Sequence, residues 1–213
     1  MRRPARECHL AESSSGIRIT ALNVYPVKSC AGTSLDVAIL GRRGIVHDRE
    51  FMVVDGSDHF ITHREQPRLG LVCPRLSDGH LELSAPRMPR LSIAPTDARR
   101  REVRIWRDRV QASDQGEPVA EWLSQYLGQR CRLVRLPEDV VRPVDRAFAV
   151  HPEDQVGVAD GFPLLLISEE SLADLNNRLP RPLPMNDSGP TSSSTQMAYH
   201  TPRTAGLRFG SAI

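Results

Sequence analysis

From Ile17 to about Ser113, apolar and polar residues alternate over short stretches broken by turn formers, as in strands that lay one face on a core. The alternation predicts strands at Ile17–Val24, Leu35–Leu40, Glu50–Val54, His59–Thr62, Leu69–Val72, His80–Ser84, Leu91–Ala94, Glu102–Trp106 and Arg109–Ala112. Asp55-Gly56-Ser57-Asp58 has hairpin chemistry, with Gly56 able to take a positive φ. So many short, closely spaced strands predict a barrel or a strongly bent sheet. Two helices interrupt the pattern. Glu117–Leu127 places Val119, Trp122, Leu123, Tyr126 and Leu127 on one face, with Pro118 in the first turn and Gly128 as the stop. A strand follows at Cys131–Leu136, and Phe162–Ile167 forms a short, wholly apolar one entered through Asp160-Gly161. Ser168 is a good N-cap for a second helix, with Glu169 and Glu170 in its first turn and an end near Leu179, before Pro180. The fold class is therefore β-rich α+β, a barrel-like domain with a few helices.

Beyond Asn186 the periodicity stops. The stretch rich in Ser, Thr, Gly and Pro reads by composition as a disordered tail over 187–213, and residues 1–16 read as a mobile N-terminal tail. A net charge of +2 with interleaved acids predicts no nucleic-acid partner and no membrane partner. No stretch reaches the roughly 18 apolar residues of a membrane span, and the basic opening lacks the apolar region of a secretory signal. Cys8, Cys30, Cys73 and Cys131 are far apart without a CxxC pair, the usage of reduced thiols in a cytoplasmic protein.

Lys28, in Tyr25-Pro26-Val27-Lys28-Ser29-Cys30, is the only lysine; every other one of the 28 basic side chains is arginine. An ammonium next to a hydroxyl can hold an anionic oxygen cluster, and Arg49 at the head of a predicted strand can add a bidentate fork. Spacing alone equally allows Lys28 and Arg49 to be solvated surface charges. Cys30 reads either as a thiol activated by Lys28 or as a small buried filler. Asp160 reads either as a functional carboxylate or as an ordinary turn residue. His59 and His63 share a strand face, but no acidic or thiol ligand stands at metal-binding spacing, so no metal ligand is nominated. GxSxG, GxxxxGK[ST] and GxGxxG motifs are missing from the sequence.

The stretches YPVKSC, GIVHDREFMVVD, THREQPRL, DQVGVADGFPLLLISEESLADLN and PLPMN occur in an order and spacing that resembles the MOSC-domain family. That molybdenum-cofactor group includes the mitochondrial amidoxime-reducing component and its bacterial relatives. The resemblance covers about Ile17 to Asn186. It implies an N-terminal β-barrel domain over 17–140 and the start of a MOSC domain over 141–186, with molybdopterin between them. By the same resemblance Lys28, Ser29 and Arg49 contact the cofactor's pterin and phosphate, while Asp160, Gly161 and Phe162 match a turn lining it. Intact relatives reduce N-hydroxylated compounds or are sulfurtransferase-like, which implies a small-molecule substrate and an electron-donor protein as partners.

After Met185-Asn186 the family continues with a pattern like RFRPNLVV, and a molybdenum-ligating cysteine comes later. Here Asp187-Ser188-Gly189-Pro190-Thr191-Ser192-Ser193-Ser194-Thr195 follows. Codons GAT TCC GGC CCA ACC TCG TCG TCG ACG encode it. Read one base earlier, after a C, the same bases give RFRPNLVVD. Likewise His200–Gly206 contains YAEDRW in that frame. The expectation is a change of reading frame at Asn186, an incomplete MOSC domain, weak or absent cofactor binding and no turnover. None of the four cysteines stands where the metal ligand belongs. The alternative is a freestanding β-barrel module that binds a small anionic ligand or a protein partner.

Overall fold

The computed structural model describes residues 6–7, 18–185 and 195–200, the short outer segments as strand backbone. The expected tails, 1–16 and 187–213, lie outside the described residues apart from those two strands. In chain order the strands are β1 (Arg6–Glu7), β2 (Arg18–Val24), β3 (Thr33–Leu35), β4 (Ile39–Gly41), β5 (Gly44–Ile45), β6 (Phe51–Asp55), β7 (Cys73–Ser77) and β8 (His80–Ser84). They continue as β9 (Leu91–Ile93), β10 (Arg100–Ile105), β11 (Asp108–Asp114), β12 (Cys131–Arg135), β13 (Leu164–Ser168) and β14 (Thr195–His200). The α-helices among the described residues are α1 (Glu117–Leu127) and α2 (Glu169–Asn176). The strands form small sheets in the orders β10-β11-β12-β6, β13-β14-β2-β3, β7-β8-β9 and β1-β4-β5. The result is the β-rich, curled half-barrel expected from the strand spacing.

Strand β6 is the centre of the molecule. Its Phe51, Met52, Val53 and Val54 are all fully buried, because apolar layers cover both of its faces. Phe51 and Val53 join Leu133 and the α1 residues Val119, Trp122, Leu123, Tyr126 and Leu127 in one core, with Leu81 and Leu83 of β8 closing it. Met52 and Val54 face the other way, toward Val134, Val103, Ile105, Ala112 and Val158. Antiparallel pairing with β12 sets Leu133 opposite Val53 and Val134 opposite Met52, so both strands divide their side chains between the same two cores. Helix α1 runs over the expected residues, entered from Gly116, whose N–H is held by Asp114 Oδ1 at 2.9 Å, and stopped by left-handed Gly128.

Several elements differ from expectation. Leu69–Val72 is not a strand: Pro67–Leu71 is a 3-10 turn, for which Pro67 with its fixed φ and missing N–H is suited, and which buries Leu69 alone. His59–Thr62 contributes only single bridges, Phe60 to Val54 and His59 to Arg104. Leu35–Leu40 breaks into β3 and β4. In the 55–58 turn the left-handed residue is Asp58, not Gly56, because Asp55 Oδ1 takes the N–H groups of Ser57 and His59 and sets the turn. Helix α2 starts at the predicted cap, Ser168 Oγ accepting from Ser171 N at 3.0 Å, but ends at Asn176. There the Asn176 side-chain amide pairs with both backbone groups of Leu183, turning the chain back three residues sooner than periodicity suggested. Strand β7 was missed, although Asp78-Gly79, with φ of 50° and 76°, is a hairpin turn signal.

Candidate anion-binding site

A short parallel ladder assembles the site. Arg49 N–H donates to Tyr25 O (2.8 Å), Phe51 N–H to Pro26 O (3.0 Å) and Lys28 N–H to Phe51 O (2.8 Å). YPVK is thereby zipped against the start of β6, and two cations 21 positions apart in sequence (28 and 49) become neighbours. A third segment joins them through Val158 N–H to Arg49 O (3.0 Å). Gly157 makes that approach possible: a β-carbon on it would lie 2.8 Å from Arg49 O. Ser29, His47 and Arg49 all hold positive φ, at 67°, 69° and 46°. Left-handed backbone costs a non-glycine residue roughly 1–3 kcal/mol, and such strain gathers at functional sites.

Lys28 and Arg49 are each 1% exposed, which removes the reading of solvated surface charges. Lys28 Nζ lies 2.5 Å from Asp160 Oδ1 and 5.3 Å from the centre of the Phe60 ring. Arg49 pairs with the buried carboxylate of Asp48 and stacks its guanidinium 4.9 Å from the centre of the Tyr25 ring. Asp48 in turn accepts from Tyr25 N–H at 2.8 Å, so the acid that neutralises Arg49 also fixes the YPVK strand. Burial lowers the Lys28 pKa from 10.5 to about 8; Asp160 opposes the shift, while the charges of Arg49 and Arg142 add to it. Burial likewise lowers the Arg49 pKa.

Arg142 and Trp106 were not nominated from the sequence. Arg142 is 4% exposed, and its guanidinium binds the carbonyls of Gly157, Ala159 and Asp160 together with Asp108 Oδ2 (2.7 Å). Nothing in the sequence separates it from the other arginines, since its role comes from burial against the carbonyls of the 157–160 loop. Trp106, expected at a strand end, is instead a turn residue with φ of 53°, and its Nε1–H donates to Asp160 Oδ1 at 3.0 Å. Its ring meets Phe60 edge-on, with centroids 4.9 Å apart.

Asp160, Gly161 and Phe162 border an open groove of about 870 Å³ beside the cluster. Its walls include Trp106, Arg107 and Phe148, the last in edge contact with Phe162 at 5.8 Å between centroids. The structure thus joins Lys28 directly to Asp160 and sets Ser29, half-buried, beside Lys28; Gly161 and Phe162 stand on the groove side of Asp160. Cys30 is a core filler, packed in the main apolar cluster with its thiol pKa pushed up by burial. Among the described residues no three of His, Cys, Asp and Glu come together as a metal site.

The half-barrel thus buries an ammonium and two guanidiniums, Lys28, Arg49 and Arg142, around the 157–160 loop. The MOSC N-terminal beta barrel domain matches residues 16–130, and the chain belongs to that family. It is 33% identical over 175 residues to mitochondrial amidoxime-reducing component 1 of Danio rerio, covering 78% of this chain and 54% of the relative. The same-named protein of Mus musculus is 35% identical over 189 residues, covering 84% and 55%. Molybdenum cofactor sulfurase of Danio rerio is 32% identical over 141 residues, covering 62% of this chain and 17% of that protein. The chain spans about half the length of the amidoxime-reducing relatives.

Proposed function

We propose that this chain carries one half of a molybdenum-cofactor site, with Lys28, Ser29 and Arg49 receiving the pterin phosphate and Asp160, Gly161 and Phe162 lining its approach. The observation that carries the reading is the complete burial of Lys28 between Arg49 and Arg142, on a strained backbone. Burying cations costs stability unless an anion compensates them, and a phosphate offers several oxygens to an ammonium, a hydroxyl and a guanidinium together. Lys28 supplies a compact charge, Ser29 a hydroxyl donor and Arg49 a second charge, while Arg142 fixes the 157–160 loop over them. When bound, the cofactor supplies the molybdenum at which reduction takes place. In this reading the substrate is an N-hydroxylated small molecule, the electrons come from a donor protein, and the location is cytoplasmic.

The metal-ligating cysteine has no counterpart among the described thiols: Cys30 and Cys131 pack in the core, and Cys73 is exposed beside β8. Together with the loss of the family pattern after Asn186, this supports a frame change there. The chain as written then holds the cofactor weakly and does not turn over. Metal and pterin content of the purified chain, with and without Lys28→Met, tests the site. Stoichiometric molybdenum together with amidoxime reduction would overturn the inactive reading, and the coding DNA across codon 186 tests the frame. The alternative of a freestanding anion-binding module draws on the completeness of the main core, whose buried residues all fall between Val27 and Leu133. Limited proteolysis separates the two, since a module resists to about Asn186 and a broken domain is trimmed toward residue 140.

A further inference from the structure

The geometry points to a second role for Asp160: it is an internal counter-ion that occupies the anion position on Lys28 and must swing aside before a tetrahedral oxyanion can bind. This rests on the anion-site reading above and adds how the site is closed when empty of ligand.

Three features place Asp160 as a latch. Its carboxylate is one-third exposed while the ammonium it meets is 1% exposed, so Asp160 stands between Lys28 and solvent. A single oxygen, Oδ1, accepts from both Lys28 Nζ (2.5 Å) and Trp106 Nε1 (3.0 Å), so the indole holds the acid on the lysine. The backbone is fixed independently, because Arg142 Nη2 donates to Asp160 O at 3.0 Å. The side chain can therefore rotate toward the groove it borders without moving the loop. Lys28 and Arg49 differ in this respect. The carboxylate paired with Arg49, Asp48, is itself 6% exposed and tied to Tyr25 N–H, and so cannot leave. Of the two carboxylates, the one on Lys28 reaches solvent, and an incoming oxyanion gains the ammonium by displacing it toward water.

A latch that is closed nine-tenths of the time weakens apparent affinity about tenfold relative to an open site. Lys28 is the sole lysine, so protein labelled with 15N-lysine gives one side-chain signal that reports on this contact alone. Sulfate and inorganic phosphate are titrated into the full chain, into Asp160→Asn, and into Trp106→Phe, which keeps the ring on Phe60 but removes the N–H. The expected result is that both anions move the Lys28 signal in all three proteins. Asp160→Asn should bind them about tenfold more tightly, with Trp106→Phe intermediate. If Asp160→Asn does not fold, Trp106→Phe decides on its own, since its indole is on the surface. Equal affinities in the variants and the parent overturn the latch and leave the anion site standing. A Lys28 signal that no anion moves in any of the proteins overturns both.

Discussion

The Lys28–Asp160 ion pair joins residues 132 positions apart, with its ammonium sealed in the core and its carboxylate at the surface. The two partners are therefore not equivalent. Asp160→Asn strands a buried charge, and about 2–4 kcal/mol of stability should be lost at neutral pH. Lys28→Met leaves an acid that water can reach, and the change should stay within about 1 kcal/mol. Urea denaturation of the two variants checks the order; a more damaging Lys28→Met would contradict the assignment of the buried partner.

The lysine sets a pH window. Its folded pKa of about 8 lies below the ordinary 10.5, so between these values the unfolded chain binds more protons. The Lys28 contribution to stability therefore rises with pH across that window, as the cost of a buried charge disappears. Oxyanion binding runs the opposite way, because it needs the ammonium: sulfate, which stays dianionic, should bind several-fold more weakly at pH 9 than at pH 7. Calorimetric titration at the two values reads this directly, and a flat profile would remove Lys28 from the site.

Gly157→Ala should cost roughly 1–3 kcal/mol, because the added carbon meets a backbone oxygen that is itself hydrogen-bonded to Val158. The damage should be local: thermal denaturation registers the loss, and sulfate affinity falls with it as the 157–160 segment moves off Arg49. An alanine variant as stable as the parent would show that the segment has room to shift.

Arg142→Met removes the donors from three carbonyls and the partner from Asp108. A loss of about 3–5 kcal/mol is expected. Amide exchange should accelerate at Ala159 and Asp160 well before it changes in β12. Unaltered protection in the loop would mean that the bridge carries no load.

Much of the barrel was legible because alternation, turn residues and caps are local signals. Helix α1 and strand β8 fell where periodicity put them, and Ser168 capped α2 as its residue type suggests. Leu69–Val72 misled because a buried leucine in an apolar run has the same composition in a 3-10 turn as in a strand; Pro67 was the discriminating residue. At the site, a solitary lysine among arginines marked Lys28, residue chemistry raised Ser29, Arg49 and Asp160 beside it with a surface or turn reading left open, and the resemblance added Gly161 and Phe162. Arg142 and Trp106 stayed hidden because their roles are tertiary: one is defined by which carbonyls it meets, the other by a side chain 54 positions away.

The doubly covered β6 strand has a consequence for the order in which the protein comes into being. Its partner β12 and the helix α1 that covers it emerge before residue 136, so the main core can close while synthesis continues. Lys28 waits longer, for an acid 132 residues downstream. At about 5–20 residues per second that is roughly 7–26 s of translation. Over its last stretch, between residues 136 and 160, the nascent chain has a formed interior and an ammonium still without its counter-ion. A ribosome that stops between residues 136 and 160 would release a folded barrel that had never possessed its counter-ion.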